Sequence, residues 1–204
     1  MEPSKAQRAA ARRVAESKAT APHLYLDAEV RVDTLDIALV VRAVALALTE
    51  NRRLNGAYRD GAFEAYSRIN VGVVLDGPDA PVVPTVFDAD SRTVTQIRDE
   101  LAGLAERATA GALTSPELAG GTFTVATATV GSIRSLTAIL NQGQAATLAV
   151  GPVTDRPLVR DGEVVAGRAL TVTLSCDARI VGAEEAARFL DRVCTLLEAP
   201  EGLA

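Results

Sequence analysis

The stretch Thr171–Leu190, TVTLSCDARIVGAEEAARFL, decides the fold. It begins as a strand of alternating apolar residues, turns sharply through Asp177, Ala178 and Arg179, and runs on as an amphipathic helix. From Ala186 to Leu197 that helix sets Phe189, Leu190, Val193, Cys194, Leu196 and Leu197 on one buried side. Cys176 ends the strand and Cys194 sits in the helix, with no metal-ligand spacing around either. They read as buried thiols rather than a disulfide, which fits a reducing cytosol.

The whole chain of 204 residues is long enough for one generous domain, and with 48% hydrophobic residues it can bury a sizeable core. A net charge of −5 gives no electrostatic case for nucleic acid or an anionic membrane. Aromatics make up 3% of the chain and Trp is absent, which argues against base-stacking platforms. The charged, Ala-rich N-terminus is unlike a secretory leader. The longest apolar stretch, Leu35 to Leu48, is interrupted by Arg42 and falls short of the roughly 20 residues that span a bilayer. The expectation is a soluble, cytoplasmic protein.

Upstream of the opening stretch, residues 1–20 read as an arm. Lys5 to Ser17 is rich in helix formers but nearly all its apolar residues are Ala, so it needs a surface to lie on, or else frays as a basic terminus. Pro22 to Val32 alternates as a half-buried strand, with Leu24, Leu26, Ala28, Val30 and Val32 on one face. His23, the chain's one histidine, stands at its start. Asp33 or Thr34 is positioned to cap a buried helix over Leu35 to Leu48. A hairpin around Asp60-Gly61, a strand over Ile69 to Leu75 and an extended Pro81 to Val86 follow. Val94 to Ala108 has one helical face; Thr114 to Glu117 opens a short helix with Pro in its first turn. Residues 21–204 form a single domain without repeats or an internal linker.

These blocks resemble, in order, the catalytic domain of the dihydrolipoamide acyltransferases, the E2 components of 2-oxoacid dehydrogenase complexes. The opening SKAQRAAARRVAESKATAPHLYL is similar to that family's Ser-Arg-x-Arg…Ser-Lys…Pro-His arm. Asn70–Val74 looks like Asn-Ile-Gly-Ile-Ala, Val82-Val83-Pro84 like Gly-Leu-Val-Val-Pro-Val, and Gly120–Thr124 like Gly-Gly-Thr-Phe-Thr. Ile139–Val150, ILNQGQAATLAV, is similar to Ile-Ile-Asn-Pro-Pro-Gln-Ala-Ala-Ile-Leu-Ala-Val. One departure is large: the charged helical segment that the family sets between the first strand and the buried helix is missing. The resemblance implies an α/β fold, an α+β mixed sheet flanked by helices, similar to chloramphenicol acetyltransferase. It also implies trimers, sometimes built into cages, an N-terminal arm packed on a neighbouring subunit, and channels between subunits that admit coenzyme A and a lipoyl arm.

In the family the final strand ends Asp-His-Arg, with Asp-Gly after two more residues. The His is the general base, the Asp steadies it, and a Ser in the Gly-Gly-Thr-Phe-Thr-Ile-Ser-Asn run stabilises the oxyanion. Such a base is needed because a thiol attacks poorly until its proton is removed. Carried over, the base position is Ala178, the supporting position Gly182 and the oxyanion position Ala126. Thr127 adjoins Ala126 but faces the other side of a strand. Asp177 and Arg179 remain, with a structural pairing as their implied role; Asn141 and Gln144 border the region. The sequence holds no lipoyl or subunit-binding domain, so a stand-alone domain is expected. No cofactor is required and a coenzyme A thioester is a candidate ligand.

Three readings follow. The first is a redirected enzyme acting on an acyl or small-molecule intermediate by positioning and desolvation. The second is a pseudoenzyme trimer that scaffolds or binds a ligand. The third is conventional acyl transfer with His23 or Asp177 as substitute base.

Overall fold

A computed structural model describes residues 2–128 and 132–203, and among these residues there are nine strands and four α-helices, with three short 3-10 turns. The strands are β1 (His23–Arg31), β2 (Gly56–Arg59), β3 (Ala62–Ala65), β4 (Val71–Val73), β5 (Thr85–Val86), β6 (Phe123–Thr127), β7 (Ala146–Val150), β8 (Thr154–Arg160) and β9 (Glu163–Asp177). The helices are α1 (Lys5–Thr20), α2 (Ile37–Glu50), α3 (Val94–Thr109) and α4 (Ala183–Glu198). The main sheet runs β1-β9-β7-β6-β4-β5, with β8 also paired to β9. The β4, β6 and β7 strands are parallel to one another and the remaining pairs antiparallel. This is the mixed sheet flanked by helices that the sequence predicts.

Alternation gives the sheet two unlike faces. Val71, Val73, Phe123, Val125, Leu148, Val150, Val172, Leu174 and Cys176 join one core with α2, α3 and α4. Phe123 and Phe189 meet there with ring centroids 5.7 Å apart. The α2 helix is apolar nearly all round, and its Arg42 reaches out to donate to the Asp90 carbonyl at 2.6 Å. The opposite face carries Thr124, Ala126, Thr147, Ala149, Thr173 and Ser175, all buried. The segment 132–145 crosses it: the Ser175 hydroxyl donates to the Ala138 carbonyl at 2.7 Å.

Two local expectations are corrected. The cap of α2 is Asp36, whose carboxylate accepts from Ala38 N at 2.9 Å, and neither Asp33 nor Thr34. Residues 33–35 form the bend that leaves β1, where Arg168 donates to the Asp33 carbonyl. Thr114 to Glu117 is a turn, not a helix. Its Glu117 carboxylate accepts from Thr114 N and Oγ1 at 2.8 and 2.7 Å, and the left-handed Gly120 (φ +75°) ends the segment. The α1 helix has a full capping box at Ser4 and Gln7, yet only Ser17 along it is buried. It is tied at three points: Gln7 Nε2 donates to the Asp79 carbonyl (3.1 Å), Ser17 Oγ to the Leu140 carbonyl (2.6 Å) and Lys18 to the Tyr25 hydroxyl.

Candidate functional site

The turn after β9 is fixed from several directions. Ile180 and Val181 N–H groups donate to the Asp177 carbonyl, and Ala178 N–H donates to the Pro22 carbonyl at 2.9 Å. The Asp177 carboxylate, 4% exposed, grips Arg179 through Nε (2.9 Å) and Nη2 (2.6 Å) and also accepts its backbone N–H. That hydrogen-bonded carboxylate holds the Arg179 guanidinium above its ordinary pKa. Arg179 lies 4.4 Å over the Tyr58 ring. From α2's end, Arg53 Nη2 donates to the Ile180 carbonyl at 2.5 Å. Arg53 and Tyr58 were not legible as turn partners, because neither stands in a periodic pattern with residues 177–182.

At the centre of this well-held turn neither Ala178 nor Gly182 carries an acid or a base. Ala178 presents an exposed methyl. Gly182 has the extended backbone of a helix cap but no side chain, and a Cβ added there would meet nothing within 4 Å. Cys176 is next to the turn, but burial pushes its thiol up to about 12, with Glu185 and Asp177 adding to the effect. It is a core group and no nucleophile at neutral pH. Cys194 is likewise a free thiol, raised by burial to about 11. Among the described residues no group of three His, Cys, Asp or Glu could hold a metal ion.

Ala126 lies on the hydroxyl-bearing face of the sheet, paired with Ala149, which pairs in turn with Thr173. Thr127 alternates to the other face, as expected. Ala178 is two strands over and five residues further along. From strand spacing and rise, the two positions are on the order of 19 Å apart within one chain. A single chain therefore does not bring them together. His23 is engaged at both ring nitrogens: Nδ1 is 2.7 Å from the Ala21 carbonyl, and Nε2 takes the Leu140 N–H at 3.2 Å. With Nδ1 donating and Nε2 accepting, both ring nitrogens are committed to backbone groups.

Asn141 and Gln144 converge on a residue the sequence did not single out, Thr124. Its hydroxyl donates to Gln144 Oε1 (2.7 Å) and accepts from Asn141 Nδ2 (2.8 Å), and Gln144 Nε2 donates to the Gly121 carbonyl (2.9 Å). Asn141, Gln144 and Gly121 line a groove of about 810 Å³ that opens between α1 and residues 78–85. Val82, Val83 and Leu118 line it as well, together with the polar side chains of Arg13, Asp79, Thr85 and Gln142. A second hollow of about 390 Å³, with Arg59, Tyr66 and Arg68, shares Gly120, Gly121 and Gln142 with it. No helix among the described residues is long and apolar enough to cross a membrane.

Known proteins agree with this architecture. Residues 34–204 match the family described as 2-oxoacid dehydrogenases acyltransferase (catalytic domain). The chain is 30% identical over 210 residues to the dihydrolipoyllysine-residue acetyltransferase component of the pyruvate dehydrogenase complex of Rickettsia bellii, covering 93% of this chain and 50% of that protein. It thus spans about half the length of the curated relatives it matches. A probable dihydrolipoamide acetyltransferase from Listeria monocytogenes superposes with a TM-score of 0.91 at 27% identity, covering 98% of this chain and 94% of the other. The Azotobacter vinelandii dihydrolipoamide acetyltransferase superposes at 0.93 and 24%, covering 100% and 92%. A chloramphenicol acetyltransferase shares the fold at 0.57 and 12%, covering 91% and 94%. With the sheet order, the held turn and the matched sequence in agreement, this chain belongs to the 2-oxoacid dehydrogenase acyltransferase family, as its catalytic-domain part.

Proposed function

We propose that the chain is a divergent domain of this family that binds an acyl group or another small pathway intermediate between subunits and orients it without base-catalysed transfer. One observation carries the reading: no proton acceptor stands free at the turn. Ala178 and Gly182 have none, Asp177 is gripped by Arg179, and His23 has both nitrogens engaged. The A. vinelandii enzyme supports the choice of positions. Its catalytic mechanism was probed at a serine, a histidine 52 residues later and an asparagine four beyond that. Ala126, Ala178 and Gly182 keep those same intervals.

The groove supports a ligand. About 810 Å³ is within the ordinary range for small-molecule sites, and its side-chain amides suit an extended chain of amide and acyl groups such as a coenzyme A thioester. The subunits would form a homotrimer or a larger assembly. The long gap between Ala126 and Ala178 favours this, and one similar structure is the cubic core of a pyruvate dehydrogenase multienzyme complex. In that assembly α1 would rest on a neighbouring subunit.

A second reading, a non-catalytic scaffold, is favoured by one feature. The groove is only partly enclosed, so a single chain does not exclude water as positional catalysis requires. Acetyl transfer from acetyl-CoA to dihydrolipoamide is expected to be undetectable. Saturating acetyl-CoA is expected to raise the melting temperature by about 5–10 °C, the effect of ligand at about 100 times its dissociation constant on a domain of this size. Transfer at the rate of an intact relative sinks the proposal; absence of any shift leaves the scaffold.

A further inference from the structure

The hollow of about 390 Å³ beside the groove is assembled from three separate segments: residues 59–70 at and after the β2–β3 hairpin, 120–122 ahead of β6, and 142–143 ahead of β7. Apart from three glycines, every residue lining it has a polar side chain, and none of these is a carboxylate. Two of them are guanidiniums, Arg59 and Arg68. The neighbouring groove is different in kind, with Val82, Val83 and Leu118 beside the carboxylate of Asp79.

Both guanidiniums are held in place with donors to spare. Arg68 donates to Asp88 through Nε (2.7 Å) and Nη2 and lies 5.9 Å over the Phe87 ring. That grip uses one edge of its fork and leaves Nη1 uncommitted among the described residues. Arg59 is 3.7 Å from Glu64, and both side chains are more than half exposed, so this ion pair is weak. Its better contact is Tyr66: Arg59 Nη2 donates to the hydroxyl at 3.1 Å, and the hydroxyl donates to the Gly143 carbonyl at 2.7 Å. The turn that presents this carbonyl closes with Gln144 N–H on the Asn141 carbonyl (3.1 Å) and takes a left-handed residue, Gly143 (φ +76°). The Asn70 amide is spent on the Gly120 carbonyl and the Asp88 N–H, and the Thr122 hydroxyl on the Asn70 backbone. Exposed Ser67 and Gln142 add further donors to the lining. A planar fork of open N–H groups matches the geometry of an oxyanion, and fixing it beforehand lowers the ordering cost of binding.

We propose that this hollow is a binding site for an oxyanion, a phosphate or a carboxylate, held by Arg59 and Arg68. The anion is either free or the charged end of a ligand whose remainder lies in the groove, since Gly120, Gly121 and Gln142 line both spaces. The test is calorimetric titration of the protein with inorganic phosphate at constant ionic strength, so that screening stays fixed. Two charge-assisted bonds put the expected Kd on the order of 1 mM. Arg59→Gln and Arg68→Gln are each expected to weaken phosphate about tenfold, with melting temperatures close to wild type because both positions are exposed. Arg59→Lys, which keeps the charge but not the fork, should recover only part of the loss. Arg52→Gln, at an exposed arginine that lines neither space, should bind phosphate as the wild type does. A wild-type protein that takes no phosphate, or an equal loss in Arg52→Gln, overturns the site. Repeating the titration with acetyl-CoA present separates the two sources, and either result upholds the site: competition marks the charged end of a groove ligand, independent binding a free ion. Phosphate binding without any acetyl-CoA binding leaves this site standing and overturns the coenzyme A reading alone.

Discussion

Asp177 and Ala178 are adjacent, yet only the side chain of Asp177 holds the turn. The carboxylate of Asp177 closes the turn on the Arg179 side chain and backbone N–H, while its carbonyl accepts from Ile180 and Val181, so its value is structural. A methyl at Ala178 costs the fold nothing, because the site is exposed. Cys176 gives the residue scale its own prediction. In the unfolded chain the thiol titrates near its ordinary 9.0; in the folded chain it keeps its proton up to about 12. Between those values the unfolded state binds fewer protons, so stability falls as pH rises, by at most about 1.4 kcal/mol per unit. Below pH 9.0 this contribution is fully present. Cys176→Ala is expected to be less stable at neutral pH but to lose stability less steeply between pH 9 and 11, measured as urea midpoints. Parallel slopes for the two proteins would show that the thiol is already ionised when folded.

Elements were legible where periodicity and turn chemistry agree. The Asp60-Gly61 hairpin is found as read, with both residues left-handed (φ +48° and +82°), the backbone that a tight hairpin turn demands. The buried α2 and the amphipathic α3 and α4 follow their apolar spacing. Caps were less legible: three residues near the start of α2 carry cap-forming side chains, and only the bend after β1 decides that Asp36 serves. Asp36→Ala is expected to cost about 1 kcal/mol, a fall of roughly 2–4 °C in melting temperature. Its surface pair with Arg98 adds little, since Arg98 is half exposed. A larger effect from Thr34→Ala than from Asp36→Ala would return the cap to the earlier position. The turn at Asp177–Arg179 was legible from motif positions alone. The Thr124–Gln144–Asn141 cluster was not, because it depends on which segments become neighbours, and β6 and the crossing segment 132–145 meet only in three dimensions.

At the scale of the whole molecule, the sheet separates the two positions that the proposed site would have to unite. Strand geometry puts Ala126 and Ala178 on the order of 19 Å apart in one chain, beyond the reach of any side chain on either. If the inherited site was built across subunits, its halves can be restored on different chains. One variant carries Ala126→Ser alone. Another carries Ala178→His with Gly182→Asp, which the open space at Gly182 accepts and which adds a side-chain cap to α4 worth a few tenths of a kcal/mol. Each variant by itself lacks part of the constellation at every site and is expected to show no acetyl transfer to dihydrolipoamide. Mixed and reassembled oligomers would hold some sites with the hydroxyl from one chain and the imidazole and carboxylate from the next, and transfer should appear only there. Activity should rise and fall with the mixing ratio, greatest near equal proportions. Transfer by the Ala178→His/Gly182→Asp chain alone, unaltered by mixing, would mean that the site closes within one subunit; a silent mixture beside an active chain carrying all three substitutions would mean the same.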